Sequence, residues 1–437
     1  EFRRVLFRSL YAHNKSRLMD EIIEGVAPNT EPPPIHETVK FYENIWSVRA
    51  EDNHAVSKKT GIAGDNRTLL SPITKPEILT AISKTKRDSA KGIDTITLHE
   101  AKQLANDDLF VAFNIWLGCK SIPAALKLNR TTLIPKGNQN LDKVTNWRPI
   151  TISSILLRLF NKIMAGRMSK FFQMDKRQLG FTPINGCSMN IAWLNLLLKH
   201  ARLNKKEINV CLIDVAKAFD SVPHDSIFRA LRRHNAPPHL IELIQQQYED
   251  SSTTITYQNL SSKKIKILRG VKQGDALSPL LFNLVTDELF QILGDRFGYT
   301  IDNIGSTNIR CFADDMCLVS GTKVGMGNMI RESTQFLNER GLQINPNKCM
   351  TIALEKGYKG KKSKIVIEPV FTIQGAPVPI LGHTTNTTKY LGVKFTSVGS
   401  IKATVIKEQL ISVLEKLQKV SLKPFQKIDL LRSHVIP

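Results

Sequence analysis

One stretch of eight residues restricts the fold more than any other part of the chain. Residues Ile208 to Val215 read Ile-Asn-Val-Cys-Leu-Ile-Asp-Val and are apolar at both odd and even positions. A strand with this pattern is covered on both faces, which is typical of the centre of a sheet. The sequence therefore predicts a central strand here, with Asp214 near its end.

A second acidic site lies further along the chain. Residues 309–319 predict a hairpin whose two apolar strands are joined by Ala313, Asp314 and Asp315. An aspartate at a strand end or hairpin tip most often forms a turn or cap, and that interpretation stays open for each residue alone. Carboxylates within apolar β structure are costly unless cations compensate them, and clustered carboxylates raise one another's pKa. Together with Asp214 they suggest a magnesium site, where two ions about 4 Å apart serve an in-line phosphoryl transfer.

Two helix starts carry clear signals. Thr74 and Glu77 form a capping box ahead of apolar positions at helical spacing. Ser278 and Pro279 predict another start, with the serine as N-cap and the proline at the first helical position.

Three further segments predict regular structure. Residues 127–136 alternate between apolar and polar side chains, which predicts a strand. Residues 156–170 place their apolar side chains on one face of a helix and basic ones on the other. Residues 402–420 predict a last long helix.

Charge and length restrict the class of protein. The chain has 437 residues, with 61 Lys and Arg against 39 Asp and Glu, a formal net charge of +22. This excess indicates a polyanion partner, although a basic surface without such a partner explains it equally well. The length predicts two to four lobes. No segment reaches the roughly 18 apolar residues of a membrane helix, so no membrane partner is expected. The six cysteines lack metal-ligand spacing and predict free thiols.

Three motifs resemble those of reverse transcriptases and occur in the family's order. Asp214–Asp220 is similar to the first catalytic motif, Arg269–Asn283 to the next, and Phe312–Asp315 to the paired-aspartate motif. Ser221–Asp225 and Leu422–Pro437 are similar to the polymerases of non-LTR retrotransposons. Within these, the resemblance is to the clade that inserts site-specifically and carries a restriction-like endonuclease.

This resemblance extends from about residue 75 to the C-terminus. It implies an α/β (α+β) fold of the right-hand polymerase type, with fingers, a palm built on an antiparallel sheet, and a truncated helical thumb. The expected segments are 1–9, an artefact similar to a translated sequencing-adapter oligonucleotide; 10–74, an N-terminal extension and linker; 75–207, fingers and upstream palm elements; 208–400, the palm with the catalytic motifs; and 401–437, the start of the thumb.

The resemblance also implies catalytic and metal-binding residues. Asp214, Asp314 and Asp315 match the catalytic carboxylates, and with the backbone of Val215 they would hold the metal ions. Lys348, in a segment similar to the next palm motif, would protonate the leaving pyrophosphate as a general acid. The alternative for Lys348 is a surface lysine.

Five positions match residues that bind the incoming nucleotide in the family. Lys136 and Arg148 would contact the triphosphate, and each would otherwise be a solvated basic residue. Phe219 would lie under the sugar, where its ring collides with a ribose 2′-OH; the alternative is a core aromatic. Gln273 and Gly274 would let the backbone approach the base pair, or form an ordinary loop.

Two further features lie outside the predicted catalytic set. Asp220 starts the turn that follows the first motif, and its position predicts a helix N-cap rather than a metal ligand. The segment Gln178–Phe181 resembles a fingers motif near the template, and the alternative is a loop that supports the palm.

The implied function is that of an RNA-directed DNA polymerase of a non-LTR retrotransposon. The expected partners are an RNA template, a DNA primer, their RNA–DNA hybrid and deoxynucleotide triphosphates. The expected cofactor is a pair of Mg²⁺ ions, with Mn²⁺ as a substitute. Two alternatives remain, a catalytically decayed RNA-binding copy and a maturase-like splicing partner. Synthesis in the cytoplasm and action in the nucleus are expected, although no targeting signal is visible.

A short thumb has a further expected consequence. The helix at 402–420 is followed by a second helix beginning near Pro424, and we expect their apolar residues to be left partly exposed. The residues concerned are Leu410, Leu414, Leu417, Leu430 and Leu431.

Overall fold

The computed structural model of the chain describes residues 11, 15–24, 33–49, 66–104, 107–136, 140–257, 260–357, 363–400 and 403–435. Two compact units divide the chain. The larger unit comprises Pro33–Ile134 and Trp147–Gly399, and the smaller unit comprises Glu1–Pro32, Pro135–Asn146 and Ser400–Pro437. The segment 1–9 lies outside the described residues, and the boundaries of fingers, palm and thumb stay predictions.

Helices make up much of both units. The described α-helices are α1 Lys15–Glu24, α2 Ile35–Trp46, α3 Asn66–Leu70, α4 Lys75–Ser83, α5 Leu98–Gln103, α6 Asp108–Cys119, α7 Ile155–Phe171, α8 Gly186–Leu203, α9 Ala218–Ser221, α10 His224–Arg233, α11 Pro238–Tyr248, α12 Ser278–Leu293, α13 Lys323–Glu339, α14 Ala403–Lys419 and α15 Pro424–Leu430. No helix within the described ranges is long and apolar enough to cross a membrane.

Strands are mostly short. The described strands are β1 Leu128–Pro135, β2 Trp147–Ile152, β3 Ile208–Ile213, β4 Val215–Ala216, β5 Ser252–Tyr257, β6 Leu260–Ser261, β7 Ile265–Lys266, β8 Tyr299–Ile301, β9 Gly305–Thr307, β10 Ile309–Phe312, β11 Asp315–Ser320, β12 Gln343–Ile344, β13 Met350–Glu355, β14 Lys364–Ile365, β15 Thr372–Ile373, β16 Ala376–Pro377, β17 Thr388–Tyr390, β18 Val393–Thr396 and β19 Gly399–Ser400.

β3 is the central strand of a five-stranded sheet with the order β10-β11-β3-β13-β14, in which every pairing is antiparallel. All its residues are buried. Cys211 and Ile213 belong to one hydrophobic core, whereas Ile208, Val210 and Leu212 belong to a second core. Since side chains alternate between the faces of a strand, this division confirms the central position predicted from the apolar pattern.

Different helices and strands pack against the two faces of this sheet. The core that contains Ile213 includes residues of α7, α12 and α13, among them Phe160, Phe282 and Phe336. The predicted amphipathic helix is therefore confirmed as α7, with its apolar face in the core. The second core includes residues of α8 and of the β17–β18 hairpin, such as Leu197 and Phe395.

A second sheet has the order β2-β1-β5-β6, with β7 also paired to β5. The strand predicted at 127–136 is confirmed as β1, and it pairs in parallel with β5. Buried hydroxyl groups link the strands, because the Oγ1 atom of Thr131 lies 3.2 Å from that of Thr151 and 2.8 Å from that of Thr253. These contacts satisfy polar groups that would otherwise be buried without partners.

The two predicted helix starts have different outcomes. The capping box is confirmed, since the backbone N–H of Thr74 donates to Oε2 of Glu77 at 2.9 Å. The N-cap prediction for Ser278 is wrong by one residue, because α12 begins at Ser278 and Leu277 is the N-cap. The backbone N–H of Leu277 donates to Oδ1 of Asp275 at 2.9 Å, so the upstream aspartate binds the backbone of the N-cap residue.

The smaller unit has a core of its own. In it, Leu417 of α14 and Leu430 of α15 pack against apolar residues of α1, including Leu18 and Ile22. The expectation of partial exposure is confirmed for Leu410, Leu414 and Leu431. It is wrong for Leu417 and Leu430, which are 2% and 0% exposed, because α1, from the far end of the chain, covers these two residues.

Candidate active site

Asp214 and Asp315 lie at the same end of adjacent strands. β3 ends one residue before Asp214, and β11 begins at Asp315. The last pair in the register of these strands joins Ile213 to Met316, so the two aspartates are the next residues on either side. Asp314 immediately precedes Asp315 in the turn of the β10–β11 hairpin. The structure therefore brings together the three carboxylates predicted from the sequence.

The carboxylates influence one another electrostatically. Burial, then the charges of Asp315 and Asp214, raise the pKa of Asp314 to about 6, and the positive charge of Arg148 opposes this rise. Burial and the charge of Asp214 also raise the pKa of Asp315. The charges of Arg148, Asp214 and Asp315 therefore all act on Asp314.

This site fits hard divalent cations. Closely spaced carboxylates that oppose one another's ionisation are relieved when a cation lies between them. Within the described ranges, no group of three or more His, Cys, Asp or Glu side chains is already arranged to hold a metal by itself. Magnesium keeps several waters when bound and takes further ligands from substrate phosphates. Val215, the fourth predicted ligand, is buried in β4 directly after Asp214.

Asp214 is fixed through its backbone by the segment that carries Lys348. The N–H of Asn345 donates to the carbonyl oxygen of Asp214 at 2.9 Å, and the N–H of Asp214 donates to Sγ of Cys349 at 3.4 Å. Lys348 is exposed and lies between these two contacts, in a turn closed by its own N–H and the carbonyl of Asn345 at 3.0 Å. Its segment therefore borders the site, and its role as a general acid stays a prediction.

Phe219 has one face packed and is partly exposed. Its ring stacks on the ring of Phe282 at 4.9 Å between centroids, with an angle of 11° between planes. The exposed ring of Phe181 meets it edge-on at 6.3 Å. These contacts fix the orientation of the Phe219 ring. A fixed ring is compatible both with binding the sugar of a nucleotide and with simple packing in the core.

Gln273 and Gly274 lie against the strand that begins with Trp147. The backbone N–H of Thr151 donates to the carbonyl of Gln273 at 2.9 Å. Gly274 has φ +108°, and a Cβ atom there would lie 3.2 Å from the carbonyl oxygen of Thr151. This position therefore favours glycine, first for its positive φ and second for the close contact.

Asp220 has a role that the sequence did not indicate. The predicted N-cap is wrong, because Asp220 lies inside α9 and Lys217 is the N-cap. The buried carboxylate instead accepts a hydrogen bond from Nε2 of Gln273 at 3.0 Å and so orients that side chain. A buried carboxylate needs a hydrogen-bond donor. This requirement is the signal that would have suggested a donor partner for Asp220.

The two predicted triphosphate contacts lie in different units. Arg148 is exposed and belongs to the larger unit, where its charge acts on Asp314. Lys136 belongs to the smaller unit, and its ammonium donates to the carbonyl of Thr145 at 2.8 Å. Both assignments stay predictions.

An antiparallel sheet with Asp214 after its central strand, beside the hairpin that carries Asp314 and Asp315, has the arrangement that the resemblance implies for a polymerase palm. A family model described as reverse transcriptase (RNA-dependent DNA polymerase) matches residues 134–395. The chain belongs to the reverse transcriptase family. The family and the right-hand polymerase fold expected from the motifs are thereby confirmed.

The chain is also similar to polyproteins of retrotransposable elements. It is 34% identical over 367 residues to the retrovirus-related Pol polyprotein of the type-2 element R2DM from Drosophila melanogaster, covering 84% of this chain and 34% of that protein. It is 33% identical over 381 residues to the corresponding polyprotein of a type-1 R2 element from Nasonia vitripennis, covering 87% and 36%. These similarities confirm the expected relation to non-LTR retrotransposon polymerases. The chain spans about a third of the length of these two relatives.

Among solved structures, apo telomerase from Candida tropicalis is similar with a TM-score of 0.41 and 13% identity, covering 70% of this chain and 60% of that one. This similarity is too distant to assign any residue.

Proposed function

We propose that the chain extends the 3′-OH end of a DNA primer on an RNA template, as the polymerase of a non-LTR retrotransposon. The observation that carries the proposal is the convergence of Asp214 with the paired aspartates. Burial and neighbouring carboxylates raise the pKa of Asp314 and of Asp315. The similarity to R2 polyproteins supports the retrotransposon origin.

The three aspartates, with the backbone of Val215, would hold two Mg²⁺ ions. When bound, such ions lower the pKa of the attacking hydroxyl and stabilise charge on the leaving oxygen. The protein's own groups then orient the substrate. Arg148, whose positive charge acts on Asp314, is suited to bind the triphosphate through its planar donors.

Two further elements would select the nucleotide. Phe219, stacked on Phe282, would place its ring where a ribose 2′-OH would lie and so favour deoxynucleotides. Gln273, oriented by Asp220, and Gly274, which lacks a Cβ, would support the new base pair from below.

An RNA–DNA hybrid is the proposed macromolecular partner. The net charge of +22 supports it, since a basic protein binds the phosphate backbone and releases counterions. The hybrid would be recognised through backbone and A-form shape rather than sequence. Because integration takes place on chromosomal DNA, we place the activity in the nucleus.

Primer extension on a homopolymeric RNA template tests this function. With Mg²⁺ and deoxynucleotides, the chain should lengthen a DNA primer, whereas Asp315→Asn should reduce incorporation by about 1000-fold or more. Asp88→Asn, which removes an exposed aspartate in a turn, is the matched control and should retain activity. Fluorescence anisotropy should give similar affinities of all three proteins for a labelled hybrid. A parent chain that binds the hybrid but adds no nucleotide would support the decayed-copy alternative instead.

A further inference from the structure

Ala313, the residue before the paired aspartates, has an unfavourable backbone conformation. Its φ is +55°, in the left-handed region, and it is the first residue of the two-residue turn between Phe312 and Asp315. Glycine or asparagine normally occupies such a turn position, because a Cβ atom disfavours positive φ. The conformation of this turn sets the direction of the Asp314 side chain, so something outside the hairpin must hold it.

Gln178 supplies that restraint. Its amide oxygen accepts hydrogen bonds from the backbone N–H of Ala313 at 2.8 Å and from that of Gly180 at 3.0 Å. Its amide nitrogen donates to the carbonyl of Ala313 at 3.3 Å. One side chain, only 2% exposed, thus binds both polar backbone groups of the left-handed residue.

The segment that carries Gln178 lies directly against the hairpin. Leu179 donates through its N–H to the carbonyl of Cys311 at 2.9 Å, and the N–H of Cys311 donates to the carbonyl of Arg177 at 2.9 Å. At Gly180 an added Cβ atom would lie 2.2 Å from the backbone nitrogen of Ala313. Gly180 therefore permits the close approach that brings the amide of Gln178 within reach of the turn.

We infer that Gln178 is a positioning residue that holds Ala313 in its left-handed conformation and thereby orients Asp314 for nucleotide addition. The inference rests on the proposed function. It assigns Gln178–Gly180 to the support of the catalytic turn, one of the two interpretations that the sequence left open for this segment.

A purely structural role would give Gln178 the same contacts, so the test must separate orientation from stability. Gln178→Met removes the polar amide and keeps a side chain of similar length. Asn190→Leu is the matched control, because Asn190 is also fully buried and donates through Nδ2 to the carbonyl of Cys311 at 3.2 Å, in strand β10 rather than in the two-residue turn. Both variants should lower the thermal midpoint.

The expected results differ in activity. Gln178→Met should reduce kcat in primer extension by about 100-fold with KM for the deoxynucleotide nearly unchanged, as expected when a reacting group is misplaced. Asn190→Leu should retain kcat within about threefold. Amide hydrogen exchange without metal should be faster at residues 312–315 in Gln178→Met and unchanged there in Asn190→Leu.

A second substitution provides a rescue. Glycine adopts φ +55° without the penalty that alanine has, so Ala313→Gly in the Gln178→Met background should recover about tenfold of the lost kcat. If Gln178→Met and Asn190→Leu lower kcat equally, or if Ala313→Gly gives no recovery, the positioning role is wrong. If the parent chain itself adds no nucleotide, the proposed function fails, while exchange at residues 312–315 still reports whether Gln178 holds the turn.

Discussion

Asp314→Asn should make the metal-free protein more stable. The pKa of Asp314 is raised from 3.8 to about 6, chiefly by burial and then by Asp315 and Asp214. Each pKa unit corresponds to about 1.4 kcal/mol, so the ionised carboxylate would cost the folded chain up to about 3 kcal/mol. The side chain is partly exposed, and solvent screening lowers the expected gain on substitution to about 1–2 kcal/mol.

The pH dependence of this gain has a definite sign. Below about pH 4 the carboxyl group is protonated in both the folded and the unfolded chain, so substitution should have little effect. Between about pH 4 and pH 6 the unfolded chain loses this proton first, and the folded parent loses stability as the pH rises. The advantage of Asp314→Asn should therefore grow across this window and be complete above it.

Thermal unfolding in EDTA measures the effect. At pH 8 the midpoint of Asp314→Asn should exceed that of the parent by a few degrees, and near pH 4 the two should agree. Asp88→Asn removes an exposed carboxylate and should leave the midpoint unchanged at both values. Adding Mg²⁺ should stabilise the parent more than Asp314→Asn. Equal midpoints at pH 8, or a less stable Asp314→Asn, would refute the idea that the site keeps a carboxylate at the expense of stability.

Three further substitutions have defined outcomes. Phe219→Val should raise the ratio of ribonucleotide to deoxynucleotide incorporation about tenfold, and an unchanged ratio would mean that the ring only packs on Phe282. Gly180→Ala should lower the extension rate about 100-fold, because the new Cβ displaces the backbone of Ala313; an active variant would show that the turn tolerates the shift. Leu430→Ala should destabilise the smaller unit by about 2–4 kcal/mol, measured by urea denaturation, because its side chain is fully buried.

Sequence reasoning succeeded where a pattern depends on the residue's own segment. The apolar run around Asp214 predicted a central strand because alternation and burial are properties of the strand itself. Sequence reasoning failed where the residue that contacts a given side chain is distant in the sequence. The position of Asp220 predicted a helix N-cap, but its carboxylate accepts a hydrogen bond from Gln273. Leu430 was expected to be partly exposed, but it is buried against Leu18 and the neighbouring apolar residues of α1.

The same limit explains the catalytic turn. Nothing near Ala313 in the chain indicates a left-handed residue, because glycine or asparagine would be expected there. The restraint comes from Gln178, whose contact depends on the close approach of another segment at Gly180. A single sequence shows the residue types but not which segments meet.

The central position of β3 has a consequence for how the protein forms during translation. Its residues pair with partners 107 residues later (211 with 318) and 142 residues later (210 with 352). Contacts at such separations form slowly, since a long loop must close before any of them contributes. A ribosome adding roughly 5–20 residues per second must therefore complete most of the chain while this strand, apolar on both faces, has no partner. During this interval the unpaired strand is exposed to aggregation, and co-expression of a chaperone should raise the yield of folded protein.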